Sequence, residues 1–403
     1  MKLHKDLAKI VFLGLVLCLG IGTEMQANSL YSRFGIGILR PYAGASYFGQ
    51  GNIGIASYSP IALQYLNPAS LAFLKRTRFE GSFLYEQADV KIGSAEGKFS
   101  DSGFNTLHIG IPMTRGYALS FGLMPYSIIS NNYEDIVEGS YRSELVGTGG
   151  LERAFLRLSG QIGKRFSYGA GLDVYFGRLE RTWRVFYDDA SYVRTEDITS
   201  TTAIGMGGHA GILLQVSEKI SLGAVMTAPA TLSTKRQEDY VFRTENSIIE
   251  GEMKLPFIQG YGVNYRPNEK VTVLADFEAG NWGSLDKDDI LGAETTNTTR
   301  YGIGLEYAPS RKLYASLLKK MSYRIGFNAG NLPYLLDGKK IDEKFFTAGL
   351  TLPYNAFNSQ LEIGMEYGKR GSQSEIGSEE TVFRFVFGIA SGEKWFNRPK
   401  GRK

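Results

Sequence analysis

Short stretches in which apolar and polar residues alternate recur from about residue 79 to near the end of the chain. In 166–177 (FSYGAGLDVYFG), apolar side chains fill the even positions, and mostly small or polar residues fill the odd ones. The stretches 301–309, 360–370 and 381–390 alternate in the same way. Successive side chains of a β-strand point to opposite faces, so this pattern predicts strands with one apolar face.

The composition agrees with an all-β fold. The chain contains 49 Gly, 24 Tyr and 24 Phe among its 403 residues. Glycine is a poor residue for helix interiors and aromatic residues favour strands. A large barrel reaches this length as a single unit.

About fourteen alternating segments can be counted along the sequence. An even number of strands of roughly ten residues, with apolar side chains facing lipid, is typical of a transmembrane antiparallel β-barrel, although a soluble sandwich also alternates. The predicted segments are 78–88, 104–112, 117–125, 153–162, 166–177, 203–216, 219–229, 257–266, 271–279, 300–308, 321–330, 345–352, 360–369 and 381–390.

The lengths of the links favour the barrel over the sandwich. Up to about residue 300 the links alternate between long ones, such as 178–202, and short ones, such as the Ser-Glu pair at 217–218. Outer-membrane barrels have short periplasmic turns and longer outside loops. We therefore predict a transmembrane barrel of about 14 strands, with long loops on the outer side.

The N-terminus has the features of a secretory signal peptide. Three lysines lie within the first nine residues and precede a 12-residue apolar run, 10–21, which is too short to span a bilayer as a helix. We predict cleavage after Ala27, which also removes Cys18, the only cysteine. Leu17 precedes that cysteine where a lipoprotein needs a small residue. The net charge of +4 gives no sign of nucleic-acid binding.

One apolar stretch does not fit the strand pattern. The segment 63–76 (LQYLNPASLAFLKR) crowds apolar residues around Asn67 and Pro68. Proline lacks an N–H and biases the preceding residue away from the α region, so neither a central strand nor an uninterrupted helix suits this segment. We expect it to pack inside a barrel, where irregular backbone surrounded by protein is tolerated at membrane depth; the alternative is a simple N-terminal turn packed under the barrel.

Candidate catalytic residues are few. The predicted mature chain has two histidines, His108 and His209, and strand parity directs both toward the lumen. Imidazoles at these positions could serve a lumenal hydrolase, but no GxSxG motif, metal-ligand spacing or Walker loop accompanies them. We therefore expect no enzyme activity, no cofactor and no metal, and we interpret the histidines as polar lumen residues.

Parity also places charged side chains of both signs in the lumen, Arg324 among them. Mixed signs favour mutual pairing over the one-sign lining of an ion-selective pore. The set is Glu80, Glu86, Arg153, Arg157, Asp173, Arg266, Asp276, Glu278, Glu306, Arg324, Glu362, Glu366 and Arg384.

Two blocks of sequence resemble the FadL-type long-chain fatty-acid transporters. The stretch 49–74 resembles the region of that family in which a Gly/Ala-rich segment runs into an Asn-Pro-Ala motif, here Asn67, Pro68 and Ala69. The stretch 254–282 is similar to a second pattern of the family, matching at Leu255, Pro256, Gly262, Tyr265, Asp276 and Trp282. The similarity extends over nearly the whole mature chain and indicates a divergent branch.

The resemblance implies a 14-stranded barrel with an N-terminal plug, or hatch, in its lumen, and passage of hydrophobic molecules through the hatch to a lateral opening. The implied organisation is a signal peptide at 1–27, a plug at 28–77, the barrel at 78–390 and a basic periplasmic tail at 391–403. The plug and ligand-path residues expected are Leu30, Tyr31, Phe34, Ile36, Ile38, Leu39, Asn67, Pro68 and Ala69.

Two functions stay open on these grounds. The first is passive uptake of hydrophobic molecules, such as long-chain fatty acids, across a Gram-negative type outer membrane. The second is an accessory or structural role in a larger outer-membrane or secretion complex, with the basic tail and the mixed-charge loops as contact surfaces. The expected partners are outer-membrane lipid, a hydrophobic small molecule and other outer-membrane or periplasmic proteins, but not nucleic acid.

Overall fold

The wall of the molecule is a closed antiparallel sheet. The computed structural model describes residues 29–113, 116–137, 139–189, 191–241, 247–310, 312, 314–354 and 359–393. Its strands are β1 (Ile38–Leu39), β2 (Thr77–Ile92), β3 (Ala95–Pro112), β4 (Ala118–Val137), β5 (Tyr141–Ile162), β6 (Phe166–Tyr187), β7 (Thr195–Gln215), β8 (Ile220–Thr227), β9 (Ala230–Tyr240), β10 (Ser247–Leu255), β11 (Ile258–Tyr265), β12 (Val271–Gly280), β13 (Thr298–Tyr307), β14 (Ser322–Leu336), β15 (Lys339–Tyr354), β16 (Ser359–Ser372) and β17 (Ser378–Glu393).

Strands β2 to β17 occupy fourteen positions in the wall. β8 and β9 are two halves of one position, since both pair with β7 and are separated only by 228–229. β10 and β11 are likewise two halves of the next position. β10 pairs with β9, β11 pairs with β8, and only residues 256–257 separate them. A proline lies in each break, where its missing N–H removes a ladder bond. β17 pairs with β2 and closes the barrel, which confirms the predicted fourteen-strand fold.

The outer and inner surfaces of the barrel differ as the alternation predicts. Large apolar side chains such as Leu172, Ile204 and Tyr301 are exposed on the outside. Polar and charged side chains such as Glu80, Asp173 and Arg157 are buried inside. This distribution suits a wall whose outer surface contacts lipid.

The predicted long outer loops are wrong for much of the wall. Most of the residues expected in loops extend the strands instead: β2 and β3 meet at a turn of only 93–94, and β5 and β6 have 22 residues each. A membrane-spanning strand needs about 9–11 residues, and β12 and β13 have 10 each. The excess rises above the membrane belt as a sheet, here called the crest, formed by the described parts of 129–150, 178–202 and 230–255.

The segment 29–76 lies inside the barrel before the chain enters β2. It holds short helices at Leu30–Arg33, Ala45–Phe48 and Pro68–Phe73, and the two-residue strand β1 pairs with β4. None of the helices in the described ranges is long and apolar enough to cross a membrane. The predicted signal peptide and residues 394–403 of the predicted tail lie outside the described residues, and β17 continues to Glu393.

The remaining short helices belong to the links between wall strands. They are Trp282–Ser284, Lys287–Ile290, Leu317–Lys320 and Gln373–Ile376. The two between β12 and β13 pack beside the crest, where Trp282 and Ile290 join the main buried apolar cluster.

Candidate functional site: the filled lumen

The candidate site is the lumen and the segment 29–76 that occupies it. The expected plug residues between 30 and 39 lie together at the outer end, whereas Asn67, Pro68 and Ala69 lie against β6 and β7. Leu30, Tyr31, Ile36 and Ile38 are buried in one apolar cluster with wall residues, and Phe34 and Leu39 pack against that cluster. Their role in a ligand path stays a prediction.

Glu380 of β17 holds the outer end of the segment. Its carboxylate accepts hydrogen bonds from the Ser29 hydroxyl at 2.6 Å and the Leu30 N–H at 2.7 Å. Arg370 of β16 pairs with the same carboxylate at 2.9 Å. The Tyr31 hydroxyl donates to the Ser378 carbonyl at 3.0 Å, above the membrane belt, and burial raises the pKa of Tyr31 to about 12. The phenol therefore stays protonated and able to donate.

Two further buried carboxylates bind the middle of the segment. Glu80 of β2 accepts the Ala45 N–H at 2.9 Å, where the helix Ala45–Phe48 begins. Asp276 of β12 accepts the N–H groups of Gly54 at 2.6 Å and Ile55 at 2.8 Å. Because these carboxylates lie on different parts of the wall, the segment is attached across the lumen as well as at its outer end.

The Asn-Pro-Ala motif joins the segment to the wall by its amide group. The Asn67 Nδ2 donates to the Ile55 carbonyl at 2.8 Å and to the Ile212 carbonyl of β7 at 2.9 Å. Its Oδ1 accepts the Ala69 N–H at 3.0 Å and caps the 3-10 helix that begins at Pro68. Proline suits the first position of a helix because its missing N–H has no partner there. The motif thus starts a short helix and bonds it to β7.

Inward-facing glycines of the wall are packing positions of the site that the sequence reasoning missed. A Cβ at Gly211 would lie 2.3 Å from the Asn67 Oδ1, and one at Gly304 would lie 2.3 Å from the Gln50 carbonyl oxygen. The segment therefore packs directly on the backbone of the wall. The signal was present as glycines repeated on the polar face of the alternating strands. Others of the same kind are Gly169, Gly223, Gly326, Gly364 and Gly388.

The predicted lumen residues His108, His209 and Arg324 are buried, and each has its own contacts. The His209 Nε2 donates to the Leu66 carbonyl at 2.8 Å, which leaves Nδ1 to accept from the Thr227 hydroxyl at 2.9 Å. The His108 ring packs edge-on to Phe155 at 5.0 Å. The Arg324 Nε donates to Glu306 at 2.7 Å, and its guanidinium also bonds the Thr351 hydroxyl. His209 thus bridges the segment and the wall.

Lumenal charges pair in a network around Glu86 of β2. The guanidinium groups of Arg40 and Arg384 each lie 2.5 Å from its carboxylate. Arg384 also contacts Glu366 at 2.6 Å. Because Arg40 belongs to the lumenal segment, this network is another link between the segment and the wall. The described residues include no group of histidine, cysteine and carboxylate side chains that could hold a metal ion.

A slot interrupts the wall between β3 and β4. Their ladder covers only six pairs, Leu107↔Leu123 to Pro112↔Ala118. Above this ladder, β4 pairs with β1 of the lumenal segment, and the Ser29 N–H donates to the Ser130 carbonyl at 3.1 Å. A cavity of about 320 Å³ lies at the slot, and its apolar lining includes Leu30, Val90, Ile92 and Phe99.

Two other cavities lie along the lumen. One of about 320 Å³ lies toward the short turns and is lined by Tyr58, Arg266 and Glu306, among others. A smaller one of about 120 Å³ lies in the centre, beside Tyr65, Tyr126 and Arg153. The cavity at the slot shares no lining residue with either of them.

Comparison with known protein families decides the family. A family model described as BamG matches residues 5–401, nearly the whole chain. The chain belongs to the BamG family. No curated protein matches this BamG-family chain.

Solved structures similar to this BamG-family barrel include a FadL homologue and two toluene transporters. A FadL homologue of Pseudomonas aeruginosa has a TM-score of 0.66 at 13% identity, covering 89% of this chain and 99% of the other. The Ralstonia pickettii toluene transporter TbuX gives 0.60 at 15%, covering 87% and 98%. The Pseudomonas putida toluene transporter TodX gives 0.60 at 15%, covering 88% and 99%. The predicted FadL-like resemblance thus holds for the fold, whereas the family is BamG.

Proposed function

We propose that this barrel resides in the outer membrane as a closed subunit of a larger protein assembly. The observation that carries the proposal is the attachment of residues 29–76 to the wall. Three buried carboxylates, Glu380, Glu80 and Asp276, accept five hydrogen bonds from the segment. A typical intramolecular hydrogen bond contributes about 0.5–1.5 kcal/mol, and one to a charged group contributes more. Withdrawing the segment would break all five, so the closed state is favoured.

The crest supplies surface for a protein partner. Ile136, Trp183, Tyr192 and Val193 are each more than half exposed, on hairpins that rise above the membrane belt. By cross-strand register Ile136 and Trp183 lie on opposite faces of the crest, so both of its faces offer exposed apolar side chains to a protein partner. Similar folds host unrelated functions, so the likeness to channels does not by itself assign transport.

Native isolation tests the subunit role. The full-length chain, carrying an affinity tag in a loop and expressed at its natural level, is extracted in mild detergent and purified without crosslinking. We expect a partner at constant stoichiometry that remains bound through size exclusion. A barrel that elutes alone after extraction in several detergents and in native nanodiscs would contradict the proposal.

A second candidate function is passage of small hydrophobic compounds, and the slot between β3 and β4 favours it. The cavity there is partly apolar and borders a section of wall without a β3–β4 ladder. A pocket of this kind could take an apolar molecule from the outer leaflet without exposing it to bulk water.

Liposome uptake tests the channel. We expect wild-type protein to accelerate entry of toluene or a long-chain fatty acid, and Gly97→Trp to abolish the gain, because Gly97 lines the slot cavity. Lys98→Trp is the matched control, since the Lys98 side chain is largely exposed and points away. Equal entry into liposomes with and without wild-type barrel would dismiss transport of these compounds.

A further inference from the structure

We propose that the edge of β10, residues 248–252, binds an extended basic segment of a partner protein, which joins the crest as an additional strand. The inference rests on the proposed subunit function and specifies how the partner is held. Main-chain pairing at a sheet edge is a general mode of protein recognition.

The edge exists because the neighbouring strand β12 ends before it reaches the level of β10, so among the described residues β10 has no neighbouring strand on that side. Strand β10 forms a ladder with β9, from Ser247↔Glu238 to Leu255↔Ala230. On the opposite side of this wall position, β12 pairs with β11 and reaches only Ile258↔Gly280. Within the described residues, β10 has no ladder on that side. Its backbone N–H and C=O groups there are available to another strand.

Other parts of the protein cover β10 from residue 253 onward, but not residues 248–252. Met253 packs in one apolar cluster with Ile290, and the Lys254 Nζ pairs with Asp289 at 3.0 Å, so the 3-10 helix Lys287–Ile290 covers the lower part. Residues 248–252 are exposed in succession, although alternate side chains of a strand point to opposite faces. Ile248 is 68% exposed and Ile249 is 41% exposed. Both faces of this edge are therefore open, and each presents an isoleucine.

The carboxylate side chains on this edge favour a basic partner segment. Met253 and Leu255 face inward, so Ile248, Glu250 and Glu252 share the outer face. Glu250 pairs with Lys235 of β9 at 3.0 Å, whereas Glu252 forms no ion pair among the described residues. A lysine or arginine of an added strand opposite Glu252 would be favourable, since opposite-charge cross-strand pairs stabilise a sheet. Two copies of this edge paired by a two-fold axis would instead bring four carboxylates onto one face.

A peptide test uses full-length protein in detergent. The probe is a ten-residue peptide in which lysine alternates with valine and threonine, and the control peptide has glutamate for lysine. We expect the basic peptide to bind and to slow hydrogen exchange of the amides of 248–252. Adjacent residues direct their N–H groups to opposite sides of a strand. One of these two N–H groups therefore points to the free edge, and the proline variant that removes it, Glu250→Pro or Gly251→Pro, should weaken binding by about tenfold or more, while Gly251→Ala, which keeps the N–H, should bind normally.

Co-purification of native complexes distinguishes the edge proposal from the subunit proposal. Loss of the co-purified partner from a proline variant, with retention in Gly251→Ala, supports the edge. A complex that survives both proline variants overturns the edge and leaves the subunit role in place. No complex from wild-type protein overturns the subunit role, and the peptide then decides the edge alone. Equal binding of the two peptides, or a barrel that only self-associates, also overturns the edge proposal.

Discussion

At the residue scale, close packing of the lumenal segment depends on wall glycines. Gly211 has no room for a side chain beside Asn67, whereas a Cβ at Gly208 on the same strand would meet only ordinary contacts at 3.9 Å. Gly208 lies on the outer face of β7, so alanine there tests the loss of a strand glycine without the approach of the segment.

We predict that Gly211→Ala destabilises the barrel by about 1–3 kcal/mol, because overpacking forces the segment or the strand to shift. Gly208→Ala should change stability much less. Thermal unfolding in detergent, followed by the heat-dependent shift in gel mobility, measures both. An equal loss of stability in the two variants would mean that the contact with Asn67 is not the cause of the destabilisation.

At the element scale, Glu380 joins three elements: the 3-10 helix Leu30–Arg33, β16 through Arg370, and β17 itself. Its neighbour Glu379 pairs with Lys369 across the same two strands at 2.7 Å, but the Lys369 side chain is 62% exposed. Strands β16 and β17 are therefore joined by one buried ion pair, Arg370–Glu380, and one solvated ion pair, Lys369–Glu379.

We predict that Glu380→Gln costs about 3–5 kcal/mol, because Arg370 is fully buried and loses a charged partner. Glu379→Gln should cost no more than about 1 kcal/mol, as is usual for exposed pairs. Chemical denaturation in detergent checks both values. A loss for Glu380→Gln as small as that of its neighbour would show that Glu343, which also pairs with Arg370, suffices by itself.

At the scale of the whole molecule, the lumenal segment fills a barrel that is otherwise lined by polar groups. We predict that a variant lacking residues 29–70, with the signal peptide retained, conducts ions in planar bilayers if it inserts. Wild-type protein should conduct little under the same voltage. A deletion variant that folds by gel mobility and still blocks ions would indicate that the crest or the wall, and not the segment, closes the barrel.

The strand count was predictable and the strand lengths were not. All fourteen predicted segments fall on wall strands because alternation is a local property that each strand carries alone. The upper halves of β4 to β7 were predicted as loops, since above the membrane both faces of a strand meet water or protein and the apolar-polar alternation fades. Pairing with neighbouring strands decides those residues, and that pairing is distant in sequence.

The sequence by itself determined the alternation, and therefore the all-β barrel with an apolar exterior, together with the irregular apolar segment around Asn67 and Pro68. Only the tertiary structure decided which glycines receive that segment, which carboxylates bind it, where the wall opens between β3 and β4, and where β10 is left as an edge. These features depend on contacts between residues as far apart as Ser29 and Glu380. The sequence pattern of a single strand indicates which of its faces is polar, but it does not indicate which distant residues pack against that face.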